Sequence, residues 1–223
     1  MNYAFQFDAV FESWPLLLEG TWVTIKLSFL SMFFGLIIAI ACAAAKINGN
    51  ALIRFLVNCY IELIRNTPFI IQLFVFFFAL PTIGIKWSAY TAALVAMTVN
   101  LGAYASEIVR AGIEAIPKGQ VEAGRALSLS GVQVFRHIIL KPALKTIYPA
   151  LTSQFIYLML ASSVVSVISA DDLTSVASSI QSLTFRSFEI YIVVTGIYLL
   201  LTLGFSALFS FIYKHTLDYP DRK

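Results

Sequence analysis

The sequence predicts an all-α integral membrane protein with five transmembrane helices, and three observations predict it. The 223 residues are 59% hydrophobic and only 12% charged, with a mean hydropathy of +0.84, whereas soluble domains carry roughly 25% charged residues. Several apolar runs are long enough to cross a hydrocarbon core of about 30 Å. The basic residues fall mostly on one side of those runs, as the retention of Lys and Arg on the cytoplasmic side requires.

The spans are read at 21–45, 52–80, 89–109, 147–170 and 190–213, within a single transmembrane domain covering 1–223. The second is interrupted by Glu62, Arg65, Asn66, Thr67 and Pro68, which predicts a kink, since proline in a spanning helix frees a carbonyl that neighbours re-satisfy. With the N-terminus outside, the external segments hold Lys26, Lys86 and Arg186. The internal ones hold Lys46, Arg54, Arg110, Lys118, Arg125, Arg136, Lys141, Lys145, Lys214, Arg222 and Lys223, with Arg65 reaching in from the second span. The C-terminus is therefore expected in the cytoplasm, together with the polar segment 116–140.

The opening stretch does not read as a signal peptide: no basic residue precedes its apolar part, and Asp8, Glu12 and Glu19 lie within it. Phe7, Val10, Phe11 and Trp14 recur at helical spacing, which fits a short interfacial helix or a tail with scattered aromatics. Cys42 and Cys59 read as packing residues, and two cysteines without nearby histidines make no metal site. No phosphate-binding GxxxxGK[ST] loop is present. His137 and His215 stand apart from any nucleophile or carboxylate constellation. No catalytic residue, no metal ligand and no nucleic-acid partner is expected.

Segment 116–140 reads IPKGQVEAGRALSLSGVQVFRHIIL. Pro117 can open a helix, because its missing N–H would be unpaired there anyway. Ala123, Ala126, Leu127 and Ser130 then fall at i, i+3, i+4 and i+7, a stripe of small and apolar groups. Such a stripe suits docking of another protein, with Glu122 and Arg125 fixing register; periodicity alone equally allows a helix that packs only on the chain's own loops.

Two acid–base pairs at i, i+3, Glu62 with Arg65 and Glu107 with Arg110, read as structural or gating groups near the cytoplasmic face. Gln72, Asn100 and Gln154 are isolated amides in three spans, and an unpaired amide in hydrocarbon is costly, so each should face protein or water. Ser162, Ser166 and Ser169 at i, i+4 and i+7 predict a hydroxyl stripe, with Ser163 beside it. Ordinary interhelical hydrogen bonding and a solute pathway both use such groups. The pathway candidates are Gln72, Asn100, Gln154, Ser162, Ser163 and Ser166.

The stretch EAGRALSLSGVQVFRHIILKPAL resembles the EAA motif of the membrane subunits of ABC importers, and IPKGQ ahead of it resembles the polar amino acid branch, the histidine/glutamine/glutamate permeases. GTWVTIKLSFLSMFFG, YIELIRNTPFIIQLFVFFFALP, AYASEIVRAGIEAIPKGQ and TFRSFEIYIVV extend the resemblance from Leu18 to Leu217. The resemblance implies the type I ABC importer permease fold, with a periplasmic N-terminus, in the inner (plasma) membrane of a bacterium. It implies two permease subunits, a cytosolic ATPase dimer that carries ATP and Mg, and a periplasmic solute-binding protein delivering an amino acid or related solute. The chain itself needs no cofactor and is not an enzyme. By the same resemblance Gln120, Glu122, Ala123, Gly124, Ala126, Leu127 and Ser128 form the coupling helix that sits in the ATPase and drives alternating access.

Three departures from that pattern stand out. Ser128 occupies the motif's usual glycine position, and Lys141 shifts the closing proline to Pro142. Leu160, Ala161, Ser162, Ser163 replace a stretch that many polar amino acid members fill with Lys, Asp or Asn, Thr and Ser. A carboxylate there can hold an ammonium group and Ala161 cannot, which favours a heterodimer whose other permease supplies the main solute contacts. The rival reading is a secondary transporter or channel subunit without an ATPase, for which the chain shows neither an internal repeat nor a buried acid chain.

Overall fold

The structure is a computed structural model that describes residues 3–217. All its regular elements are helical: α1 (Asp8–Glu12), α2 (Trp14–Asn48), α3 (Ala51–Arg65), α4 (Phe69–Phe74), α5 (Ala89–Glu114), α6 (Lys118–Ala126), α7 (Gly131–Val134), α8 (Leu140–Ala161), α9 (Leu173–Thr184) and α10 (Ser187–Thr216). Among the described residues four helical stretches are long and apolar enough to cross a membrane, and five if the bent pair formed by α3 and 69–83 counts as one span.

The core is α2 against α5, the largest interface in the molecule. Small residues make it possible: Ala92, Ala93, Ala96, Gly102, Ala103 and Ala105 on α5 are all buried, and such residues let helix backbones approach where no hydrophobic force separates helix from lipid. At Gly35 an added Cβ would press on Leu101, and at Gly112 it would collide with Ile147 of α8. Both glycines are there for close approach. The α2 helix has 35 residues, about 52 Å at 1.5 Å per residue, so it overruns the expected 21–45 span at both ends. It starts on Pro15 in its first turn and stops at Gly49.

The stretch expected as one kinked span at 52–80 is instead two helices turned by 107°. Pro68 offers no N–H and pushes the residue before it out of the helical region. The side chains of Asn66 and Thr67 then bond back to the carbonyls of Glu62 and Leu63, at 2.9 and 2.7 Å. After the turn, α4 runs into a π-helical turn at Val75–Ala79 and a 3-10 turn at Leu80–Ile83.

The helix read at 147–170 begins at Gly131 and continues through α7, a π-helical turn at Phe135–Ile139, α8 and a 3-10 segment at Ser162–Ile168. At the end of the bundle away from α6, α1 and the starts of α2, α9 and α10 close a second core around Val10, Leu17, Leu173, Ala177, Ile180, Ile190 and Val194. The N-terminal arm folds onto it rather than lying free. The fully buried Glu189 carboxylate accepts from Tyr3 Oη at 2.6 Å and from the Gln6 backbone N–H at 2.9 Å. Cys42 and Cys59 are both free thiols.

Candidate functional site

Two places on the bundle bring the predicted residues together. The first is α6, which follows Pro117 and ends at Ala126. Gly124 is its one buried residue, because a Cβ there would collide with Ile138 Cδ1 in the π-helical turn. The helix is thereby clamped to the base of the long α7–α8 helix while Gln120, Glu122, Ala123, Ala126 and Leu127 face outward, Leu127 at 76% exposure. An apolar side chain this exposed in a polar helix has no partner within the described chain.

The expected stripe is shorter than its periodicity suggested. Ser128 takes up a left-handed backbone at φ 58°, the Leu129 N–H bonds to Gly124 O at 3.2 Å and the Ser128 N–H to Arg125 O at 2.9 Å. That is a Schellman closure, whose turning residue is ordinarily glycine. Ser130 therefore leaves the stripe and caps α7 in a capping box with Gln133. Position 128 makes a demand of backbone conformation, not of close approach, since Ser128 is left-handed and exposed.

The second place is a small cavity of about 170 Å³ where the break after α3 meets α5 and α8. Thr67, Pro68 and Phe69 form one wall, Asn100 and Tyr104 a second, and Tyr157, Leu158 and Ala161 a third. Asn100 donates from Nδ2 to Gln72 Oε1 at 3.0 Å, and both residues are buried. Gln72 Nε2 reaches Ile64 O at 2.7 Å, Thr67 O at 3.0 Å and Thr67 Oγ1 at 2.9 Å. The two amides read as isolated are thus one unit, with only Asn100 on the cavity. No lining residue is charged, and Ala161 brings no polar side chain to its wall.

The other predicted polar groups are not brought there. Ser162, Ser163 and Ser166 each donate to the carbonyl three residues back, at 2.6, 2.8 and 2.7 Å. Their segment is 3-10 helical, with three residues per turn, so Ser162, Ser166 and Ser169 do not line up as a stripe. Gln154 is half-buried, and its Nε2 has no hydrogen-bond partner among the described residues. Tyr104 and Tyr157 went unpredicted; the first lies one helical turn beyond Asn100 on the same face, a spacing that carried the signal.

The predicted ion pairs divide. Glu107 is paired with Arg110 at 2.8 Å and with Lys46 of α2 at 2.7 Å, and Arg110 also reaches Glu114. Glu62 and Arg65 do not pair: Glu62 accepts from Asn66 Nδ2 at 2.7 Å, and the Arg65 guanidinium lies 5.5 Å from the centre of the Tyr104 ring. No cluster of His, Cys, Asp and Glu suited to a metal ion occurs among the described residues.

A polytopic helical bundle with a clamped, outward-facing polar helix between two of its long helices is the architecture of a transport permease. Residues 31–217 match the family described as binding-protein-dependent transport system inner membrane component, and the chain belongs to that family of ABC importer permeases. It is 38% identical over 199 residues, 89% of each chain, to a Rickettsia conorii protein named "Putative glutamine transport system permease protein GlnP". It is 35% identical over 181 residues, 81% of this chain and 77% of the relative, to the L-cystine transport system permease protein TcyB of Bacillus subtilis. A chain from the crystal structure of an amino acid ABC transporter with histidines superposes with a TM-score of 0.88 at 38% identity, over 96% of this chain and 100% of that one. The MetNI methionine ABC transporter in an inward-facing conformation shares the fold, with a TM-score of 0.71 at 23% identity over 90% and 98%.

Proposed function

We propose that this chain forms the translocation path for a polar amino acid in the inner membrane of a bacterium and couples that path to a pair of cytosolic ATPases through α6. The observation that carries the reading is the clamp at Gly124, which leaves the Ala123, Ala126 and Leu127 face without a partner among the described residues while fixing α6 to the π-helical turn ahead of α8. The positive-inside distribution supports a cytoplasmic α6 end and an opposite, periplasmic end that faces a solute-binding protein.

The chemistry is mechanical. ATP and its Mg belong to the ATPase subunits; closure of that pair displaces α6, and α5 and α8, which flank it in sequence, carry the shift as rigid rods. The cavity by Asn100 offers an amide carbonyl, a tyrosine hydroxyl and aromatic walls, enough to orient a zwitterion but without a carboxylate for its ammonium group. That deficit supports a heterodimer in which a second permease holds the solute's charge.

The test is purification of the assembled transporter and reconstitution in proteoliposomes with its binding protein. An ATPase should co-purify, and Glu122→Lys or Leu127→Asp should abolish solute-stimulated ATP hydrolysis while leaving the permease in the membrane. Active transport by this chain without an ATPase would overturn the reading. Two identical copies of this chain, each with bound solute, would overturn the heterodimer alone.

A further inference from the structure

A cleft of about 680 Å³ separates α6 from the corner where α2 turns into α3; it shares Glu122 and Arg125 with the docking helix, but its other lining residues take no part in the transport steps described above. Four cations line it, Lys46, Arg54, Lys118 and Arg125, against two acids, Glu114 and Glu122. Two of these charges are spoken for: Lys46 pairs with Glu107 and Glu114 with Arg110. Arg54 donates its Nε to Gly49 O at 2.8 Å, which directs the guanidinium while leaving its outer nitrogens available. Arg54, Lys118 and Arg125 form no ion pair among the described residues, so three cations face a lone unpaired carboxylate, Glu122.

The cleft has an apolar border. Ile47, Ile113, Ile116 and Val121 line it, and α3, which contributes Arg54, carries the exposed side chains Leu52, Ile53, Phe55 and Leu56. A soluble anion would use the cations and have no use for that border. An amphiphile uses both, its head among the cations and its chains along α3, at the depth where the long apolar run of α2 gives way to Lys46.

We propose that this cleft binds the phosphate of an anionic glycerophospholipid of the leaflet at the α6 end. The lipid's phosphate oxygens take the outer nitrogens of Arg54 and the ammonium of Lys118, and its acyl chains lie on the exposed face of α3. Anionic lipids populate the cytoplasmic leaflet and attract basic groups near the membrane surface, so the site rests on the proposed orientation but not on the proposed solute. Occupancy would brace the α2–α3 corner against α6.

Native mass spectrometry of the assembled transporter, released from nanodiscs of phosphatidylcholine with or without phosphatidylglycerol, reads the site. A retained phosphatidylglycerol adduct is expected, about fivefold weaker in Arg54→Ala and weaker again when Lys118→Ala is added, from the contribution of one basic group at a membrane surface. Arg54→Lys should keep the adduct. Competition by glycerol phosphate at equal concentration would assign the site to a soluble anion and overturn the lipid. An adduct indifferent to Arg54→Ala, or loss of the ATPase with Arg54→Glu at unchanged lipid binding, would overturn the site. Failure of the solute assays with this adduct intact would count only against the transport reading.

Discussion

Gln72→Leu removes one side chain from the centre of the helix break and keeps nearly its volume. In the native structure that amide satisfies the carbonyls of Ile64 and Thr67 and accepts from Asn100. Ile64 lies four residues before Pro68, so its carbonyl has no intrahelical donor, and an orphaned buried carbonyl costs about 1–3 kcal/mol. Asn100 Nδ2 can turn toward the cavity and recover part of its loss, and hydrogen bonds between membrane helices average only about 0.6 kcal/mol in double-mutant cycles. The sum is about 2 kcal/mol, or about 4–8 °C in Tm for a chain of this size. Thermal unfolding in detergent, read by tryptophan fluorescence, measures the shift, and reconstituted uptake should fall with it. A Tm within 1 °C of the parent, with full uptake, would refute the assignment of Gln72 as the group that holds the break.

Three further outcomes follow from the same geometry. Ser128→Gly should relieve the left-handed turn after α6 and raise stability by up to about 1 kcal/mol, whereas Ser128→Val should lower it and weaken ATPase stimulation, both measured on the reconstituted complex. Gly112→Ala should cost about 1–3 kcal/mol by overpacking the α5–α8 crossing, and Ile147→Ala in the same chain should return much of it; a Tm series of the two single variants and the double decides. Burial pushes the Asp172 carboxyl up to about 6 against an ordinary value of 3.8, although the Thr174 and Ser175 backbone N–H groups it caps favour its charge. Its protonated form therefore contributes stability that is complete below about 3.8 and lost as pH rises through about 6, roughly 3 kcal/mol across that window. Asp172→Asn should flatten the fall in Tm between pH 4 and 7, and an unchanged slope would show that another group titrates there.

The membrane class and the helical bundle were legible because they rest on composition and on runs of many residues, where individual errors average out. Proline was correctly read as a disturbance at Pro68, yet the size of the bend was not. A kink and a 107° turn begin from the same missing N–H, and what separates them is whether Asn66 and Thr67 cap the first helix. The serine stripe failed for a related reason: periodicity assumes 3.6 residues per turn, and the segment from Ser162 tightens to three. Cavity walls were the least legible, because Thr67, Asn100 and Tyr157 come from three elements whose meeting depends on the glycine and alanine contacts of α5. Only the spacings Asn100–Tyr104 on α5 and Tyr157–Ala161 on α8 lay within one helix. At α6 the sequence carried more, since Pro117 and the left-handed position at Ser128 are local backbone requirements, and Gly124 makes room for Ile138 only fourteen residues on.

The amide of Gln72 makes the cavity wall and α5 parts of a single body. Because Asn100 sits on α5 and Gln72 holds the end of α3, sliding α5 along its axis would drag Thr67 and Pro68 with it, so the small chamber would move as a unit instead of being wrung open. The 26 residues of α5, about 39 Å of helix, then behave as a push-rod with α6 near one end and the chamber partway along. In the transporter proposed above, such a design would leave change of access to the faces between permease subunits, and would let the walls around a bound molecule keep their shape while the molecule is handed across.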